Sequence, residues 1–141
     1  MEASSPLKNN KFILMKDIIS RTDIELLVNV FYEKVIADKQ LRFIFEEMAK
    51  VNWATHLPAM YNFWENIILY TGNYEGNPLS LHKHLHHITP LTDAHFETWN
   101  KLFNCTIDEL FEGPKATLAK QRAMSISDII KENILEYQQG I

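Results

Sequence analysis

Four of the six histidines of this chain fall within thirteen residues, Pro78-Leu79-Ser80-Leu81-His82-Lys83-His84-Leu85-His86-His87-Ile88-Thr89-Pro90. Imidazole is the commonest metal-ligating side chain and takes up a proton near neutral pH, so a stretch this dense in it points to a bound group. The neighbouring residues are aromatic and apolar rather than acidic, which favours a large hydrophobic cofactor over a bare ion. On a helix His82 and His86, four apart, share a face, while His84 and His87 point elsewhere. Elsewhere in the chain, Tyr32, His56 and Trp99 stand on or beside apolar helical faces. Each has a plainer reading when taken singly. A tyrosine or tryptophan beside an apolar stripe is usually core with its polar tip satisfied, and a lone histidine there is more often structural than a ligand.

Helices must position these residues. Thr22 followed by Glu25 is a capping-box pattern, with Asp23 adding negative charge in the first turn. Ile24, Leu27, Val28, Phe31, Val35 and Ile36 then recur at helical spacing, with Tyr32 beside the stripe. That predicts a helix ending near Ala37 or Asp38. A shorter helical piece is expected over Leu41 to Met48. The next helix begins near Asn52 or Trp53 and carries His56, Leu57, Met60, Phe63, Trp64, Ile67 and Ile68. Its early Pro58 predicts a late start or a bend. Residues 70 to 77 read as a loop with two glycines and two asparagines, and Pro78 opens a short histidine-bearing helix. Thr92 caps a further helix carrying Phe96, Trp99, Leu102, Phe103, Ile107, Leu110 and Phe111. Gly113 and Pro114 form a stop-and-start signal. The last helix places Leu118, Ala119, Ala123, Ile126, Ile129, Ile130 and Ile134 on one apolar face. The fold class is all-α, with five or six helices and no strand alternation of useful length.

Composition agrees. At 141 residues with 46% hydrophobic and 11% aromatic content, one globular domain with its own core is expected. We read residues 1–17 as a loose N-terminal extension and 18–138 as the domain. Four glycines and five prolines leave little punctuation for a many-turned β fold. A net charge of −4 argues against nucleic acid as the main partner, since phosphate binding wants a basic surface. No run approaches a membrane span, so no membrane partner is expected. The single Cys105 forms no intramolecular disulfide, which fits a reducing, cytoplasmic setting.

The order of these features is more specific than any one of them. The stretches Phe31-Tyr32-Glu33-Lys34-Val35, His56-Leu57-Pro58-Ala59-Met60-Tyr61-Asn62-Phe63-Trp64, Gly72-Asn73-Tyr74-Glu75-Gly76-Asn77-Pro78-Leu79 and Pro90-Leu91-Thr92-Asp93-Ala94-His95-Phe96-Glu97-Thr98-Trp99 follow one another. So arranged, the chain resembles the truncated haemoglobins, and among them group III, from about Ile19 to Glu136. The resemblance implies a two-over-two helical sandwich around haem b, its iron held by one proximal histidine. Read forward from the glycine loop, the Pro-x-x-x-His-x-x-Leu pattern gives His82, with Leu85 in register. Read backward from His95-Phe96-x-x-Trp99, the usual interval gives His86. The longer unbroken match runs through His82; His86 is the alternate. By the same resemblance Tyr32, His56, Trp99 and Met60 form the distal, ligand-facing side. Phe45 wedges against the haem plane, and Phe31, Phe63, Trp64, Phe96 and Phe103 line the cofactor, with Trp53 read beside them as a haem-lining or core ring.

The function so implied is binding of O2, NO, CO or peroxide at a polar distal pocket. NO detoxification and peroxidase-like redox chemistry are the candidate activities. Turnover requires a separate reductase, because the chain carries no glycine-rich dinucleotide fingerprint. Two other readings remain open on the residues alone: a module using the histidine cluster for a transition metal such as Zn²⁺, and a helical interaction domain without a cofactor.

Overall fold

A computed structural model describes residues 15–71 and 91–138, the last six by their backbone alone. Every described element is helical: α1 (Arg21–Ala37), α2 (Lys39–Arg42), a π-helical segment (Phe43–Met48), α3 (Trp53–Leu69), α4 (Asp93–Leu110) and α5 (Pro114–Gln138). The expected histidine helix, with His82, Leu85 and His86, lies outside the described residues. None of the described helices is long and apolar enough to cross a membrane.

Helix α1 starts earlier than the Thr22 pattern predicts. Ser20 is the cap: its backbone is extended and its side chain accepts from the Asp23 amide at 3.4 Å. Asp23 itself faces back, accepting from the Ile19 amide at 2.9 Å and from Lys16 Nζ at 2.6 Å. The Asp23 and Ile19 amides are thereby satisfied with Ser20 as the cap, two residues before Thr22. The helix ends at Ala37, where Asp38 donates its N–H to Lys34 and Val35 and accepts from the Leu41 amide, opening α2.

The shorter helical piece expected over Leu41 to Met48 is present as a short α turn followed by a π turn. Ala49 N bonds Ile44 O, and Val51 N bonds Phe45 O, a widened ladder that re-aims side chains. Ile44 goes inside and Phe43 is left half exposed. Lys50 then takes a left-handed conformation, φ 52°, which turns the chain into α3. There Asn52 caps by accepting from Ala54 N at 3.0 Å. The helix does not start late: Trp53 is its first residue and Pro58 lies inside it, where the ring removes one backbone donor.

Thr92 caps α4 as expected, but its partner at the third position is a histidine. Thr92 Oγ1 accepts from the His95 amide, and the Thr92 amide donates to His95 Nδ1 at 3.0 Å. Helix α5 buries Ala116, Ala119, Ala123, Ser127 and Ile130 along one row. Ile129, expected on that row, is 53% exposed, because the row continues at steps of three and four from Ala123 through Ser127 to Ile130.

Helices α1 and α3 pack together, as do α4 and α5, and the pairs meet through α1 on α4 and α3 on α5. This is a two-over-two sandwich. Its core is Ile24, Leu27, Val28, Phe31 and Val35 of α1 against Trp64 and Ile68 of α3 and Phe103 and Ile107 of α4.

The segment before α1 closes the structure. Ile18 is fully buried, and Glu112 N donates to Lys16 O. Asp17 caps α5 from across the chain, its two carboxylate oxygens accepting from Lys115 N and Ala116 N, each at 2.8 Å. Gly113 sits at φ 148°, and a Cβ there would meet Asp17 Cγ at 2.5 Å, so only glycine fits. Burial raises the Asp17 pKa, but the N–H groups of Lys115, Ala116 and Ile18 and the charge of Lys115 outweigh it and hold the carboxyl below its usual range. A depressed carboxyl favours the folded state above the unfolded pKa and loses that contribution as pH falls through the folded one. Asp17→Asn is therefore expected to cost about 1 kcal/mol in urea unfolding at pH 7, the gap to the parent narrowing on acidification below the normal carboxylate pKa.

Candidate functional site

Adjacent positions on α1 send Phe31 and Tyr32 to different neighbours. Phe31, 1% exposed, meets Tyr32, Trp99 and Phe103 edge-on at 4.9, 5.2 and 5.3 Å between ring centroids. Tyr32, 6% exposed, turns toward α3 and the π segment, where its hydroxyl lies 3.1 Å from His56 Nε2. With no charged partner, burial pushes the phenol well above its usual pKa, so Tyr32 stays neutral and keeps its hydroxyl proton.

Around this pair stand Phe45 and Trp53. Tyr32 is edge-on to Phe45 at 5.9 Å and to Trp53 at 5.4 Å, and Phe45 and Trp53 are stacked at 5.9 Å and 14°. On the other side of Phe31, Trp99 stacks on Phe103 at 5.5 Å and 3°, and Phe103 stacks on Trp64 at 4.8 Å. Phe63 meets Trp64 edge-on at 5.1 Å. One aromatic chain therefore runs from Trp53 through Tyr32 and Phe31 to Phe63, and most of the residues named from the sequence lie on it.

Phe96 does not join them. It lies beneath Lys131, 5.9 Å from Nζ, and lines a groove of about 420 Å³ with Asn100, Cys105 and Met124. Trp53 is the reverse case: read from the sequence as a general lining or core ring, it proves to be an immediate neighbour of both polar groups. Its signal was its place three residues before His56, one helical turn away.

The residues around Tyr32 and His56 suit a flat apolar group. Trp53, Leu57, Met60 and Phe63 of α3, with Phe45, Leu91 and Trp99, pack against the core but stay only partly buried. Phe45 and Trp53 stand directly against the phenol and the imidazole, and Trp99 reaches the phenol through Phe31, the mixture of apolar wall and few polar groups that small-molecule sites use. Among the described residues no three His, Cys, Asp or Glu side chains group as a metal site would need.

Comparison with known proteins agrees with this geometry. No family model matches the sequence. A group 3 truncated hemoglobin of Campylobacter jejuni is 31% identical over 124 residues, covering 86% of this chain and 95% of that protein. The crystal structure of the group III truncated hemoglobin from Campylobacter jejuni superposes with a TM-score of 0.75 at 31% identity, covering 87% of this chain and 98% of that one.

Replacing Tyr32 by Phe keeps the ring contacts and removes the bond to His56. Urea unfolding is expected to register a loss of about 1 kcal/mol. In the parent, absorbance at 295 nm should show a tyrosine fraction that does not ionise before alkaline unfolding, and Tyr32→Phe should reduce that fraction by one tyrosine.

Proposed function

This chain belongs to the group III truncated haemoglobins, and we propose that it binds haem b beside the Tyr32–His56 pair and holds a small ligand there. The observation that carries the reading is that pair: a neutral buried phenol and an imidazole, 3.1 Å apart, set in an aromatic wall. His82 is the residue proposed to hold the iron, with His86 as the alternate. Phe45, Phe31, Phe63, Trp64 and Phe103 are proposed as the apolar surround, with Leu85. Phe96, turned to the α4–α5 groove, stands apart from that surround.

When bound, haem supplies an iron with one face open to O2, NO, CO or peroxide. The protein's own part is polarity and exclusion. Tyr32 would donate its hydroxyl proton to a ligand, with His56 in the tautomer whose Nε2–H donates to the phenol oxygen and so fixes the direction of that hydroxyl. Trp99 offers an indole N–H as a second donor. Met60 and Leu57 keep water from the floor, which strengthens each hydrogen bond in the low local dielectric.

Donors of this kind slow ligand release. Storage or delivery of O2 is therefore a poorer fit than NO detoxification or peroxidase-like redox chemistry. Electrons for turnover come from a separate reductase, and the absence of a paired cysteine fits a cytoplasmic setting.

Purified protein is expected to show a Soret band that shifts on reduction and again with CO. His82→Ala should disturb the ferrous five-coordinate spectrum while His86→Ala leaves it; normal spectra from both variants would exclude both ligands. Tyr32→Phe should raise the O2 dissociation rate on the order of tenfold, measured by stopped-flow displacement with CO.

A further inference from the structure

Tyr32, Phe45, Trp53 and His56 form a tetrad in which every ring touches every other. The six centroid distances run from 5.2 Å (Tyr32 to His56) to 6.2 Å (Phe45 to His56), with Trp53 at 5.4 Å from Tyr32, 5.9 Å from Phe45 and 5.6 Å from His56. Three members already have specific roles in the pocket. Trp53 has only that of a wall residue, although it touches all three of the others: a stack at 14° on Phe45 and edges to Tyr32 and His56 at 61° and 79°.

We propose that Trp53 is a positioning residue, holding the His56 imidazole against the Tyr32 hydroxyl and so setting how readily that imidazole swings aside for an incoming ligand. The ligand part of this rests on the haem reading; the ring-holding part does not.

Three features of the chain support the assignment. Trp53 is the first residue of α3, fixed by the Asn52 cap, and stands one turn before His56 on the same helix, so the two side chains are neighbours whatever else moves. Its stacking partner Phe45 is held from a different element, since Phe45 O accepts from Val51 N at 2.9 Å. The indole is thus pinned on one face by the π segment while its contacts to the imidazole and phenol are edge-to-face. Trp53, Phe45 and His56 are all only partly buried while Tyr32 is buried, so the imidazole is held on the outer side of the tetrad, where the indole is its neighbour.

The test uses the purified full-length chain, reduced and saturated with CO so that any haem present is diamagnetic. The mobility of the His56 ring is read by ¹³C relaxation, with its resonance assigned by its loss in His56→Gln. Trp53→Leu is expected to mobilise the His56 ring and to raise the CO association rate after flash photolysis on the order of tenfold. Trp53→Phe, which keeps a ring, should restore both. Trp53→Met gives the same reading should the leucine variant fail to fold. A His56 ring as ordered in the leucine and methionine variants as in the parent overturns the proposal. So does a loss of order spread evenly along α3, which would mark Trp53 as merely structural. Absence of a Soret band would sink the haem reading on its own account and leave the ring-order result to judge Trp53.

Discussion

Phe31 is the junction on which the site depends. Its ring, nearly inaccessible, meets Tyr32, Trp99 and Phe103 edge-on within 5.3 Å. Edge-to-face pairs gain energy from quadrupole complementarity beyond the area they bury, and three on one ring also fix its rotation. Because Phe31 and Tyr32 are consecutive on α1, locking one sets the direction of the other. The contact that secures α1 to α4 therefore also aims the phenol at α3. A substitution at Phe31 acts on the polar pair without touching it.

The polar pair then follows from the cost of burial. A hydroxyl taken out of water without a partner is destabilising by an amount comparable to a lost hydrogen bond. Tyr32 meets that demand with His56, in a setting whose other neighbours are rings. Burial also pushes the phenol's pKa up, so the group remains a protonated donor around neutral pH. A pocket with these properties supplies direction and dryness rather than charge.

Much of the architecture was legible because it is local. Ile24, Leu27, Val28, Phe31 and Val35 repeat at helical steps, and all five are buried. The Thr92 cap and the Gly113–Pro114 break were likewise visible in residue type alone. What escaped depends on contacts across the chain. Asp17 caps a helix that begins at Pro114, and nothing near Asp17 announces it. The residues from Leu41 to Met48 carry a spacing that an α-helix satisfies, so the widened turn that brings Phe45 to Trp53 left no trace in periodicity. Ile129 was misplaced because an apolar residue at helical spacing also fits the solvent edge of a broad stripe. For the site, Tyr32, His56 and Phe45 were found through motif order and are brought together, whereas Phe96, carried by the same motif as Trp99, faces the α4–α5 groove.

The central claim is that this aromatic interior accepts one flat apolar cofactor beside the phenol and imidazole. Titration of haem-free protein with haemin, followed by tryptophan fluorescence and by thermal unfolding, tests it most directly. Saturation at one haemin per chain, with quenching of the indoles and a higher melting temperature, is the predicted result, since a ligand that binds only the folded state stabilises it. Quenching that never saturates, with the melting temperature unchanged, would contradict the account.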